Sequence, residues 1–234
     1  MKIIPARGLW LAGWAAAAAL MLAGCGSVPI APPAAPAAGS AVAEALSAPP
    51  LMRDSAPRQG LLRIVPERSL ITVIARRAGR LAGLGHDHLL AAHGVEGDIA
   101  PAEGRATLRF RLDALAIDEA PLRAAAGLQR QPGEAAIAGT RANMLKSLDA
   151  ERYPWVAVTV HAIERGIAQA DITLHGHTRR YAVPVASQRE GGTLRARGSL
   201  HIRQTHFGIT PYSVLNGALA VEDELELSFD LQAD

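Results

Sequence analysis

Val221-Glu222-Asp223-Glu224-Leu225-Glu226-Leu227-Ser228-Phe229-Asp230-Leu231 decides the fold class. Val221, Leu225, Leu227, Phe229 and Leu231 share one parity, and Glu222, Glu224, Glu226, Ser228 and Asp230 share the other. Successive side chains on a β-strand point to opposite faces, so this stretch reads as a strand with one buried and one solvated side. The pattern recurs at 105–113, where Leu108, Phe110 and Leu112 oppose Thr107, Arg109 and Arg111, and again in Val156, Val158 and Val160. Further stretches near 62–75, 88–100, 168–175, 179–188 and 193–203 bring the expectation to about eight strands, divided by breaks such as Arg165-Gly166 and Glu190-Gly191-Gly192. Short strands with such turns predict an all-β antiparallel sandwich or barrel. One short helix is expected at 134–148, where Ile137, Met144, Leu145 and Leu148 stand among polar residues without proline. No short unit repeats along the chain, which disfavours a solenoid or propeller.

The segment 28–60 has a different character. It holds 7 of the 15 prolines, much alanine, and only Glu44, Arg53, Asp54 and Arg58 as charges. Such a composition buries too little apolar surface to offset its ordering entropy, so the reading is a disordered linker. The expected organisation is therefore a signal peptide at 1–24, an N-terminal linker at 25–60 and one folded domain at 61–234.

At the start of the chain, Lys2 and Arg7 precede a mostly apolar run from Leu9 to Leu22, which ends in Leu22-Ala23-Gly24-Cys25. A positive end, an apolar middle and small residues at the cut form the order of a secretory signal, and the run is too short to cross hydrocarbon comfortably. The stretch resembles the lipobox of bacterial lipoproteins. That resemblance implies cleavage before Cys25, lipidation of its thiol and a membrane partner through that lipid. Gly26, rather than Asp, follows the cysteine, and the implied place is the periplasmic face of the outer membrane in a bacterial cell envelope. Removing 1–24 leaves 22 basic against 22 acidic residues, with no basic cluster to neutralise phosphates, so nucleic acid is not an expected partner. Cys25 is the only cysteine, which leaves no disulfide.

Within 61–234 the local motifs fall in a recognisable order: Asn143-Met144-Leu145, Leu148-Asp149 and Tyr153-Pro154; Asp171-Ile172-Thr173-Leu174-His175-Gly176 with Thr178-Arg179; Phe207-Gly208-Ile209; and the closing alternation. Together they resemble the YceI family of lipocalin-like periplasmic proteins. Arg68-Ser69 and Arg76-Arg77-Ala78-Gly79 stand where that family usually carries a His-Ser pair and a His-Leu-Gly. The resemblance implies an eight-stranded antiparallel lipocalin-like barrel that holds an isoprenoid or other fatty lipid, without catalysis. An eight-stranded barrel either fills its interior or leaves room for one small ligand. The inward-facing candidates for ligand contact are Leu108, Phe110, Leu112, Val156, Val158, Val160, Leu225, Leu227 and Phe229.

Eight histidines offer an alternative, a metal-binding or redox-related module. His86-Asp87-His88 and His175-Gly176-His177 each place two imidazoles at i and i+2, on one side of a strand, and His206 adds another. The candidate ligands to a divalent metal are His86, His88, His177 and His206, with Asp87 or Asp171 as outer partners. A hydrolytic set from Ser69, His88 and an aspartate is disfavoured, because no Gly-x-Ser-x-Gly occurs. A third reading is a filled barrel whose surface meets a protein partner.

Overall fold

The alternating stretch at the chain's end forms β12 (Leu219–Ala233), 15 residues long and paired antiparallel along both edges. Its neighbours are β10 (Thr193–Arg203) and β2 (Leu70–Ala78). The computed structural model describes residues 46–55 and 59–234, so the signal segment, Cys25 and most of the linker lie outside the described residues. From β10 the sheet continues through β9 (His177–Glu190), β8 (Ile167–Leu174), β7 (Trp155–Glu164), β5 (Arg105–Arg111) and β4 (Glu96–Ala100) to β1 (Leu62–Arg63). From β2 it continues through β3 (His88–Ala92) to β6 (Ala116–Ile117), and β11 (Ser213–Val214) pairs with the start of β12.

The two ends of this path are carried by the same stretches of chain. β3 and β4 are halves of one run bent at His93-Gly94-Val95, and β5 and β6 are halves of the next. The backbone of Ile64 donates to Gly97 of β4 and forms a bridge with Ala233, while Arg63 and Asp234 exchange two hydrogen bonds. Residues 62–65 thus tie β4 to the end of β12, and the sheet curls round on itself. Curling satisfies backbone groups that an open edge would leave bare.

The all-β antiparallel expectation holds, and its details are corrected. Among the described residues twelve strands appear in place of eight, because the run at 88–100 breaks at its bend and β1, β6 and β11 are only 2 residues each. Within 61–234 two helices appear in place of one. The expected helix is α2 (Glu134–Ser147), with Leu148 at its C-terminal cap; the other is α1 (Ala120–Ala125). At 6 residues, α1 is too short to show a helical period.

The linker expectation also needs correction. Leu51 and Met52 are only 3 % and 7 % exposed, although they lie in the stretch expected to be disordered. The Met52 N–H donates to Thr107 Oγ1 at 3.0 Å and the Arg53 N–H to Asp98 Oδ2 at 2.9 Å. Arg53 also donates to the Gly97 carbonyl, and its Nε lies 2.6 Å from Asp98 Oδ1 in an ion pair rather than an aligned hydrogen bond. Two apolar side chains and one arginine thus strap this segment to β4 and β5, which low overall hydropathy conceals.

The acidic parity of β12 is solvated and paired. Glu226 accepts from Arg76, Asp230 from Arg195 and Arg197, and Glu224 faces His201 at 3.2 Å. On β8, Asp171 accepts from Arg180 and His161, each at 2.7 Å. The Arg180 guanidinium holds the Asp171 carboxyl down to about 2; burial opposes this and His161 assists it.

Two outcomes follow from this architecture. Asp98 is fully buried, so Arg53→Ala removes its counter-charge and should lower unfolding free energy in urea by about 1–3 kcal/mol, with Arg53→Lys retaining part of the loss. Asp171 has a lower pKa folded than unfolded, so its stabilisation is complete above about pH 4 and disappears as pH falls through about 2. Asp171→Asn should therefore flatten the acid limb of melting temperature against pH in that window. An unchanged limb would show that the Arg180 pair is screened away.

Candidate functional site

A cavity of about 320 Å³ lies inside the curled sheet. β5 lines it with Ala106, Leu108 and Phe110; β7 with Val156, Val158 and Val160; and β12 with Leu227, Phe229 and Leu231. The space exists because small residues occupy inward positions: Ala100, Ala106, Ala168, Ala170 and Ala196. Leucines at those places would fill a small barrel. Gly198 of β10 makes room for the Phe229 ring, since a Cβ there would sit 2.6 Å from Phe229 Cζ and 2.2 Å from the Pro184 carbonyl. The lining carries only Arg105 and Ser187 as polar side chains. Ile163 and Ile167, 41 % and 37 % exposed, flank the β7–β8 turn, and Ile163 reaches the cavity.

A second cavity of about 310 Å³ lies further along the same strands. On β12, Leu227, Phe229 and Leu231 face the first cavity, whereas Leu219, Val221 and Leu225 face the second. Along β10 the first takes Leu200, and the second takes Gln204 of the turn just after the strand, with buried Ile202 between them. On β2 the first takes Ile71 and the second Ala75, with Val73 between. Residues two apart on a strand share a face. Val73 and Ile202, which line neither cavity, thus lie between the two along their strands. Helix α2 covers the second with Thr140, Asn143, Met144, Ser147 and Leu148, which form one helical face.

A buried polar network braces this chamber. Asp118, 2 % exposed, accepts from His88 Nδ1 at 2.6 Å, from the Leu89 N–H at 2.9 Å and from Arg123. Burial pushes the Asp118 carboxyl up, and the bonds from His88, Leu89 and Arg123 outweigh it and leave the pKa lowered. Arg123 also donates to the carbonyls of Asp87 and Arg130. His88 Nε2 meets Thr140 Oγ1 at 3.2 Å, and that hydroxyl donates to the Ala136 carbonyl. An Asp-His-Thr line of this kind fixes the imidazole and ties α2 to the barrel. Ser69, the hydroxyl of the disfavoured hydrolytic set, exchanges hydrogen bonds with the Gln232 backbone.

The predicted ligand contacts divide. Leu108, Phe110, Val156, Val158, Val160, Leu227 and Phe229 line the first cavity, and Leu225 lines the second. Leu112 lines neither cavity; β5 ends at Arg111, and Leu112 packs in the core with its N–H bonded to Pro154. The four predicted metal ligands do not meet as a group. His86 and His88 sit at the second cavity, with ring centroids 6.2 Å apart and His88 committed to Asp118. The other pair spans a turn rather than a strand, His175 and Gly176 having φ of 52° and 72°, and its rings lie 6.1 Å apart with His175 Nδ1 bonded to the Phe207 carbonyl. His177 instead packs against Gly208, and His206 Nδ1 meets the Tyr181 hydroxyl at 3.2 Å. Among the described residues no three His, Cys, Asp or Glu side chains converge to hold a metal ion. Sequence reasoning missed the alanines that create the space and the Asp118–Arg123 pair. The first carried a readable signal, small residues at inward parity; the second carried none, since the pair forms only once the loop after β6 folds.

Comparison with known proteins places this architecture. No curated protein sequence matches the chain. Among solved structures, Burkholderia cenocepacia BcnA superposes with a TM-score of 0.52 at 16% identity, over 73% of this chain and 99% of that one. A polyisoprenoid-binding domain from Saccharophagus degradans, implicated in plant cell wall breakdown, gives 0.52 at 14% identity, over 74% and 97%. At such identities the likeness is one of fold. The profile of the YceI-like domain matches residues 65–233, which span every strand from β2 to β12 and most of the sequence, and the chain accordingly belongs to the YceI-like domain family.

Proposed function

We propose that the protein is a non-enzymatic binder or carrier of an apolar amphiphile, an isoprenoid or similar lipid, held at a membrane through a lipidated Cys25. One observation carries the binding reading: the first cavity is walled almost entirely by carbon, inside a barrel that small residues keep open. Burial of each CH₂ contributes about 0.8 kcal/mol, so two or three isoprene units outweigh ordering costs of several kcal/mol. The space is of the size at which small-molecule pockets begin. The polyisoprenoid-binding domain of similar fold and the YceI-like domain assignment support the same reading. The Thr140 hydroxyl beside the His88 imidazole is engaged with its own helix, and this supports binding without catalysis. The Leu22–Cys25 sequence supports the anchor, and Gly26 supports the outer membrane.

Mass spectrometry of organic extracts from protein purified without detergent should find a stoichiometric long-chain lipid. Ala170→Phe, which fills the cavity from β8 at an overpacking cost of about 1–3 kcal/mol, should deplete that lipid at least several-fold while the fold persists by circular dichroism. Lipid content unchanged by Ala170→Phe would remove the first cavity from consideration. For the anchor, Cys25→Ser should move the protein from the membrane to the soluble fraction; retention in the membrane fraction would refute lipidation.

A further inference from the structure

Large apolar side chains in water are concentrated at one end of the barrel. Among the described residues seven are exposed, and four of them, Leu81, Leu84, Tyr212 and Leu215, stand on two adjacent loops at 79–85 and 212–218. Leu84 and Leu215 are 73 % and 69 % exposed, more than any of the others. The loops are joined backbone to backbone: the Leu81 N–H donates to the Ala218 carbonyl at 2.7 Å, and a Cβ on Gly79 would sit 2.5 Å from that same oxygen. Leu215 is moreover left-handed, with φ of 53°, a conformation that bulky side chains rarely adopt. Packing inside the fold gains nothing from a leucine held there in water, and backbone strain of this kind collects at functional sites. Single exposed leucines need no explanation, but a fixed cluster of them does.

Charge and the course of the chain identify what covers this patch. Residues 78–86 and 208–221 carry a single charge, Arg80, which is exposed and forms no ion pair among the described residues. The turns at the opposite end instead present Glu103, Glu164, Arg165 and Glu190 to water. Ile163 and Ile167 at that end therefore stand among charges that are costly to dehydrate. The strap also leaves the barrel in the direction of the leucines. Arg53 bonds Asp98 at the level of Thr107, and Pro49, nearer Cys25, accepts from Arg109, two residues further along β5. Beyond β5 the carbonyls of Asp113 and Leu115 bind Arg141 of α2, the helix over the second cavity, which Leu84 and Tyr212 also line. About 20 residues separate Leu46 from Cys25, a length that reaches at most about 70 Å.

Building on the reading that Cys25 carries a lipid anchor, we propose that the loops at 79–85 and 212–218 are a docking face for the bilayer that holds this anchor. Leu84 and Leu215 enter among the acyl chains, Tyr212 and Leu81 lie at the level of the head groups, and Arg80 meets anionic head groups. So few side chains bind a membrane only weakly by themselves. A tether keeps the domain beside the surface at high effective concentration, and weak docking then suffices. The partner is thus a phospholipid surface of net negative charge.

Tryptophan fluorescence tests this with the lipidated protein reconstituted into phosphatidylethanolamine and phosphatidylglycerol vesicles whose acyl chains carry bromine as a quencher. After subtraction of the wild-type signal, Leu84→Trp should emit further to the blue than Ile163→Trp at the opposite end and be quenched several-fold more strongly. Addition of Leu81→Ser and Leu215→Ser should abolish that quenching while circular dichroism stays that of wild type. If that combination does not fold, Arg80→Glu alone should weaken the quenching. Equal quenching of the two reporters, stronger quenching at position 163, or none at either, in protein that still floats with the vesicles, would overturn the docking face and leave the anchor intact. Cross-linking of Leu84→Cys into dimers by a thiol reagent, with Leu84→Trp unquenched, would give the face to a second copy of the chain and overturn the proposal. Failure of the protein to float with the vesicles at all would overturn both readings.

Discussion

Pairing of β12 along both of its edges is the constraint from which the interior follows. A strand bonded to β10 on one side and β2 on the other cannot rotate, so its apolar parity is committed inward along the whole length. A slip of one residue would turn Leu225, Leu227, Phe229 and Leu231 outward and bring Glu226 and Asp230 into the core. The irregularity between Val221 and Leu225, where the register against β2 shifts, bends the strand without changing that parity. Residues 62–65 then complete the wall by bonding both β4 and the end of β12. Only within such a wall does an alanine become empty space; on an open sheet it would merely be a small residue.

The apolar wall and the buried polar network have different tasks. Asp118 and Arg123 are both about 2 % exposed, and burying such a pair stabilises little unless every lone pair and proton has a partner. Here Asp118 bonds His88, Leu89 and Arg123, while Arg123 bonds two carbonyls and leaves only its Nε without a partner. These bonds join β3, the loop after β6, and, through Thr140, helix α2. Arg141 of α2 also donates to the carbonyls of Leu115 and Asp113. The roof of the second cavity is thus fixed by directional bonds, whereas the first is shaped by packing.

Outside, the arginines and carboxylates alternate across strands: Arg76 with Glu226, Arg180 with Asp171, Arg195 and Arg197 with Asp230. Pairs this exposed contribute modestly to stability, and salt screens them. Their greater effect is on register, since opposite charges face one another only in the observed alignment.

The residues alone determined the all-β class, the position of α2 and which parity of β5, β7 and β12 turns inward, because side-chain alternation on a strand is a local property of the backbone. They did not reveal that Leu51–Asp54 straps onto β4, since two apolar side chains in a proline-rich stretch are too few to register as a pattern. Nor did they place His86, His88, His177 and His206, because spacing along the chain says nothing once His175-Gly176 becomes a turn. Only the tertiary structure decided that the interior stays open, that Leu112 lines neither chamber, and that the space forms two cavities. Volume and convergence are sums over strands remote in sequence, and no single stretch contains them.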